Sequence, residues 1–318
     1  MTPQVPHFTS ADLDELRRAN AVLDRMPRIR MLSAPSRVIA HALTVIAVNT
    51  VRPAIRRSGV RVEQRKVSAL GRDVGVRILR PSDSPRGVHL DIHGGGWCTG
   101  TAEINDRPNA ELVKDCGVAV VSVDYRRAPK CTVPEIVDDC ETAAAWLFEN
   151  AGREFGTKSI TIGGDSAGAH LAACTLLRRP GTFRAALLNY GIYDLSGSDA
   201  FRKARPDTLV FHAPTMLPCL QKLTAERTED GRRDPAISPA FADLNGLPPV
   251  LLVVGDNDPL KEESRHLHAR WQEANGNAEL LIVPEAAHAF NRLPIAVARK
   301  TSAYAHGWLG RYFSAASQ

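Results

Sequence analysis

The stretch Ile160–Leu177, ITIGGDSAGAHLAACTLL, decides how this chain is read. An apolar run of strand character ends in glycines, Ser166 stands between Gly164 and Gly168, and an amphipathic run follows. In G-x-S-x-G the serine occupies a sharp strand-to-helix turn with strained backbone angles, so its hydroxyl projects above the sheet edge. Glycine is needed at 164 and 168 because side chains there would collide with the neighbouring strand or helix as the chain doubles back. The helix that begins at this turn directs its positive end at the place where an oxyanion would develop. A turn that merely tolerates serine has the same local pattern. The decision rests on whether other segments supply what a nucleophilic serine needs.

Working outward, the flanking segments alternate between strand and helix. VAVVSVDY (118–125) is a continuous apolar run, as expected of a strand covered on both faces. A helix over 134–150 precedes the serine turn, and RAALLNYG (184–191), PPVLLVVG (248–255) and AELLIVP (278–284) read as further strands. Helices are expected from Pro259 to Ala274 and over 295–313. Upstream, VRVEQRKVS and VGVRILR alternate like antiparallel strands, and GVHLDIH follows as a short one. Repeated βα units imply an α/β protein with a mostly parallel sheet and helices on both faces, whose reactive groups gather at the carboxyl ends of the strands. Residues 9–25 and 35–50 are helical candidates. Residues 195–240, rich in Pro, Arg and Asp, interrupt the alternation as an insertion. Residues 1–58 as N-terminal cap helices, 59–194 and 241–318 as core, and 195–240 as a cap insertion make up the expected organisation.

Three further segments carry chemistry. LDIHGGGWCTG (90–100) places three glycines after a strand, an arrangement that lets backbone N–H groups reach a ligand. Such a loop supplies oxyanion donors in esterases, joined by the N–H of the residue after the nucleophile, here Ala167. A phosphate loop is disfavoured because no Lys-Ser/Thr follows the glycines. His93 is read as structural. For the orienting carboxylate, LLVVGDNDPLKEES offers Asp256 and Asp258, and Asp194 ends the preceding strand. The order of preference is Asp258, Asp256, Asp194, although Asp followed by Pro is also a good helix cap. LLIVPEAAHAF places His288 in a loop after the last strand, and thirty residues from Asp258 leave room for one helix and one strand. The order Ser…Asp…His matches a known triad order.

Bulk properties exclude other classes. The 318 residues are 44% hydrophobic and 24% charged, ordinary for a globular protein, with a mild formal charge of +5. Residues 1–80 hold 15 of the 40 Lys and Arg, but no nucleic-acid motif or aromatic platform accompanies them. The six cysteines (98, 116, 131, 140, 174 and 219) form no C-x-x-C pair or short-spaced ladder, which suits a reducing compartment. No signal-peptide pattern opens the chain, and VIAHALTVIAVNTV is short for a membrane span, so a cytoplasmic protein is expected.

The motifs together resemble the hormone-sensitive-lipase-like branch of α/β-hydrolase carboxylesterases. The matching pieces are HGGGW at 93–97, VVSVDYRRAP at 120–129, GGDSAG at 163–168, DPAISPAFADLNGLPPVLLVVGDNDPL at 234–260 and HAF at 288–290. The likeness spans residues 88–290 and is weak over the first 60. It implies Ser166 as nucleophile, Asp258 as acid and His288 as base. Ala167 and two of Gly94, Gly95 and Gly96 would be the oxyanion donors. It also implies an α/β-hydrolase fold, no metal or organic cofactor, and a cap shaping the acyl pocket, with Trp97 and residues 35–50 as candidates to line it and a core role for Trp97 equally open. Ala169 and Lys130 stand where the family has other residues, away from the three reacting groups. The expected activity is hydrolysis of short- to medium-chain acyl esters, with a small-molecule ester and water as partners. A homo-oligomer is compatible with the sequence. The alternatives are an amidase or formamidase using the same groups, and a non-catalytic small-molecule receptor on the same fold.

Overall fold

The computed structural model describes residues 4–25, 55, 57–204, 208–210, 213–225 and 227–313, with backbone alone for 213–215. Eight strands form one sheet: β1 (Arg61–Ala69), β2 (Arg72–Arg80), β3 (Val88–Ile92), β4 (Ala119–Asp124), β5 (Ile160–Asp165), β6 (Ala186–Asn189), β7 (Val250–Gly255) and β8 (Ala278–Val283). Their order is β1-β2-β4-β3-β5-β6-β7-β8. The β1/β2 and β2/β4 pairs are antiparallel, and every pair from β4/β3 to β7/β8 is parallel. The β1–β2 hairpin turns through Leu70 and Gly71, both with positive φ, the conformation that matches strand twist in a two-residue loop.

The helices are α1 (Ser10–Asp24), α2 (Asp106–Cys116), α3 (Val133–Phe155), α4 (Ala167–Arg178), α5 (Asp199–Arg202), α6 (Ala213–Leu223), α7 (Glu229–Arg232), α8 (Lys261–Asn275) and α9 (Ala296–Gly310). Apolar residues of α3, α4 and α8 pack on one face of the sheet, and those of α1, α2 and α9 on the other. Both faces being covered explains the apolar runs of β4 and β7. Helix α3 starts in a capping box between Thr132 and Glu135 and stops at Gly156, whose φ of 70° only glycine adopts cheaply.

The α/β-hydrolase architecture is as expected, with three local differences. Helix α2 was not anticipated. Its first turn carries Pro108 and buries the polar Asp106 and Asn109, so apolar helical spacing is confined to the short run Ala110, Leu112, Val113 and Cys116. Helix α3 runs to Phe155, five residues further than expected, and α8 starts at Lys261 instead of Pro259. The helix expected over 35–50 lies outside the described residues. Among those described, no helix is long and apolar enough to cross a membrane.

The N-terminus of α2 is tied to β2 by a fork: Arg77 Nε and Nη2 each donate to an Asp106 carboxylate oxygen at 2.6 Å. The two side chains are 10% and 3% exposed, and loss of Asp106 leaves the buried Arg77 with Glu103, at 3.2 Å and 22% exposed, in place of a two-bonded fork. Asp106→Ala is expected to destabilise the protein by about 3–5 kcal/mol in urea unfolding, and the double replacement of both residues by leucine by less. A loss below about 1 kcal/mol would place the pair in the solvated class.

Candidate active site

Strand β5 ends at Asp165, and Ser166 heads α4 with φ 56° and ψ −117°, a left-handed conformation that a non-glycine residue adopts only under constraint. The flanking glycines supply that constraint. A Cβ on Gly164 would lie 2.5 Å from the Gly168 carbonyl group and 2.6 Å from the Ile92 oxygen. One on Gly168 would overlap the Ile92 oxygen. Strand β3, the turn and α4 therefore approach at backbone distance, and Ser166 N–H is fixed by the Asn189 oxygen at 2.9 Å. Ala167 is the first residue of α4, so its N–H has no acceptor within the helix.

The glycine loop follows β3. Gly94 abuts the serine turn: a Cβ there would lie 2.7 Å from the Asp165 oxygen and 3.6 Å from Ser166 Cβ. The loop is held by its carbonyls. His93 Nδ1 binds the Gly94 oxygen at 2.7 Å, and the Gly95 oxygen accepts from the N–H groups of Cys98 and Thr99 at 3.1 and 3.0 Å. None of these bonds uses an N–H of Gly94, Gly95 or Gly96. His93 stacks on Tyr125 with centroids 4.2 Å apart, and burial lowers its pKa to about 3, so it is neutral scaffolding. Trp97 is 1% exposed, and its indole N–H donates to His170 Nδ1 at 3.2 Å, while His170 Nε2 bonds the Ile237 oxygen at 2.7 Å. The core role weighed for Trp97 fits this burial better than a pocket-lining one. His170, whose pKa burial lowers to about 4, thereby joins the glycine loop, α4 and the 195–240 insertion.

His288 and its carboxylate partner come from adjacent strands. After β7, Gly255 is so close to the following loop of β8 that a Cβ would overlap the Ala286 oxygen. Asn257 N–H and side-chain amide bind the Ala286 and Glu285 oxygens at 2.9 and 3.0 Å. With the two loops locked, Asp258 Oδ2 lies 2.8 Å from His288 Nδ1, and Asp258 Oδ1 accepts Leu260 N–H at 2.9 Å. That bond folds Asp258 back on the turn before α8, so it does not serve as the helix cap. His288 Nε2 lies 3.0 Å from Ser166 Oγ. Tyr190 packs edge-on against the imidazole with centroids 4.9 Å apart.

The other carboxylates considered for this position are engaged elsewhere. Asp256 is exposed and pairs with Lys261 at 3.0 Å, and Asp194 accepts from Ser196 N–H at 2.8 Å. Helix α1, at the other end of the sequence, seats on the His288 loop: Arg17 forks onto Glu285 at 2.7 and 2.6 Å, and Asn20 donates to the Glu285 oxygen at 2.9 Å. Among the described residues no group of three or more His, Cys, Asp or Glu is placed to hold a metal. Sequence reasoning did not single out His170, Tyr190 or Arg292. For Arg292, its position four residues after His288 was the available signal.

A family model for the alpha/beta hydrolase fold matches residues 89–292. The carboxylic ester hydrolase LipN of Mycobacterium tuberculosis is 29% identical over 241 residues, 70% of this chain and 62% of that protein. An arylesterase of Saccharolobus solfataricus is 30% identical over 64% of this chain and 68% of its own. Among solved structures, one described as a bacterial heroin esterase superposes with a TM-score of 0.86 at 28% identity, covering 95% of this chain and 98% of that one. The chain spans about three fifths of the length of LipN, so activity is argued separately below. With the sheet order, the serine turn and the glycine loop in place, the chain belongs to the α/β-hydrolase fold family, and within it to the hormone-sensitive-lipase-like carboxylesterases.

Proposed function

We propose that the chain is a serine carboxylesterase that hydrolyses short- to medium-chain acyl esters through an acyl-enzyme. The observation that carries this reading is the continuous relay from Ser166 Oγ through His288 to Asp258, at 3.0 and 2.8 Å. With Nδ1–H donated to the carboxylate, His288 Nε2 is the acceptor for the serine proton. Ser166 attacks the ester carbonyl as His288 takes that proton. The N–H of Ala167 and two of those of Gly94, Gly95 and Gly96 hold the oxyanion, each donor worth about 10²–10³ in rate. The imidazolium returns its proton to the departing alcohol. Water then attacks the acyl-enzyme by the same route, releasing the carboxylic acid and restoring the serine. Asp258 fixes the tautomer and steadies the cation.

In this reading the described parts of residues 1–58 and 195–240 belong to a cap over the acyl pocket. The seating of α1 on the Glu285 loop and the bond from Ile237 to His170 support that organisation. Among the described residues the six cysteines form no disulfide, which supports a reducing, cytoplasmic setting.

The deciding measurement compares nitrophenyl esters of two to sixteen carbons with the matching nitroanilides. The acetyl to hexanoyl esters are expected to exceed both the long esters and all anilides in kcat/KM. Efficient anilide cleavage with poor ester turnover would assign an amidase in its place.

A further inference from the structure

The nucleophile turn and the His288 loop are not neighbours in the sheet. Strands β6 and β7 lie between β5 and β8, a span of about 14 Å at the usual strand spacing. The 3.0 Å contact between Ser166 and His288 therefore needs the loops to lean together and be held there. An error of about 1 Å in such a contact costs about 10²-fold in rate.

One guanidinium reaches every segment concerned. Arg292 belongs to the tight turn Phe290–Arg292 that continues the His288 loop. Its Nη2 donates to Asp165 Oδ2 at 2.6 Å, on the residue immediately before Ser166. The same nitrogen donates to Asn105 Oδ1, and Nη1 to the Ile104 oxygen at 3.0 Å. Ile104 and Asn105 form the helical turn that follows the glycine loop. Each partner is itself fixed. Asp165 Oδ1 accepts from Asn189 at 2.8 Å, and Asn105 donates to Asp91 Oδ1 on β3 at 2.8 Å. Asp91 Oδ2 also takes Asn109 at 2.9 Å and the Ser122 hydroxyl. The adjacent Asn291 accepts the hydroxyl of Tyr190, the ring that packs on His288, at 2.6 Å. The Arg292 and Asp165 side chains are 28% and 11% exposed, so their attraction is only partly screened.

We propose that Arg292 is a positioning residue for hydrolysis, whose guanidinium straps the serine turn, the helical turn after the glycine loop and the His288 loop into one register. This rests on the acyl-enzyme reading above. Arginine suits the task because its planar fork bonds several acceptors in fixed directions, whereas a lysine ammonium is a single point charge. A cavity of about 60 Å³ beside the strap's partners is lined by Asp91, Asn105, Asp165 and Asn291 together with apolar residues such as Leu187 and Val253, so truncation of Arg292 opens room next to two carboxylates for a small cation.

The test is turnover of p-nitrophenyl butyrate per serine titrated by a nitrophenyl phosphonate, which removes any contribution from unfolded protein. Arg292→Gln is expected to lower kcat by about 10²-fold with KM within about threefold of the parent. Arg292→Lys should recover part of the loss, and Arg292→Ala should regain activity with added guanidinium ion. Asp165→Asn should lower kcat in the same manner, and the double variant should lose no more than Arg292→Gln alone. Parental kcat per titrated serine in Arg292→Gln would overturn the strap. If that variant does not fold, a parental kcat in Asp165→Asn does so. Ser166→Ala separates the two levels. If it is inactive while Arg292→Gln is normal, the strap alone falls; if it stays active, the acyl-enzyme reading falls with it.

Discussion

Ser166→Ala is expected to lower kcat for nitrophenyl ester hydrolysis by at least about 10³-fold, with KM little changed. The substitution removes one oxygen whose hydrogen bond is to His288 Nε2, and leaves the turn that holds it. The positive φ at position 166 is imposed by the close approach of Gly164 and Gly168 to the Ile92 carbonyl, and alanine is no more strained there than serine. Thermal unfolding should therefore match the parent within a few degrees, which ties the lost rate to chemistry. A residual rate above the uncatalysed one is also expected, because the oxyanion donors act without the nucleophile. Mass spectrometry of the parent quenched with a slowly hydrolysed ester should find the acyl group on Ser166. A variant that keeps full turnover would remove the nucleophile from this chain and revive the receptor reading.

Much of the fold is legible in the sequence because each strand announces itself. β7 is a continuous apolar run, β4 is one interrupted by Ser122, β5 sets Ile160 and Ile162 before its glycines, and β2 alternates through Val74, Val76 and Ile78. Legibility fails where a buried surface is polar. The first turn of α2 buries Asp106 against Arg77 and Asn109 against Asp91, so apolar helical spacing shows only from Ala110 to Cys116. The candidate site follows the same division. Ser166, Asp258 and His288 each sit just past a strand, in a local pattern that names a chemical role. Their order along the chain ties them together, and the fold brings them within hydrogen-bond distance. His170 and Arg292 have no such signature. Their roles depend on Trp97, Ile237, Asp165 and Ile104, which lie far away in the chain and meet them only after folding. For Trp97 the sequence leaves a pocket role and a core role equally open, and the bond from its N–H to buried His170 favours the core one.

Asp258→Asn is expected to lower kcat by about 10⁴-fold, a larger effect than the loss of one negative charge at a distance would give. The reason lies in what each carboxylate oxygen does. Oδ1 accepts Leu260 N–H at 2.9 Å, so an amide introduced here keeps its oxygen on that donor. Its NH2 group must then face His288 Nδ1, the position now 2.8 Å from Oδ2. A donor at that position forces Nδ1 to accept, and the imidazole proton moves to Nε2. Nε2 then points a hydrogen at Ser166 Oγ, and the ring cannot receive the serine proton. Nitrogen-15 NMR of the imidazole should report the exchange of tautomer directly. Asp256→Asn and Asp194→Asn are the informative comparisons, since the first loses an exposed pair with Lys261 and the second keeps Oδ1 as acceptor of both Ser196 bonds. Both should stay within about threefold of the parent, the range expected when no reacting group is touched. Should Asp194→Asn be crippled and Asp258→Asn active, the carboxylate would have to be reassigned to the end of β6, and the 2.8 Å contact would be read as packing.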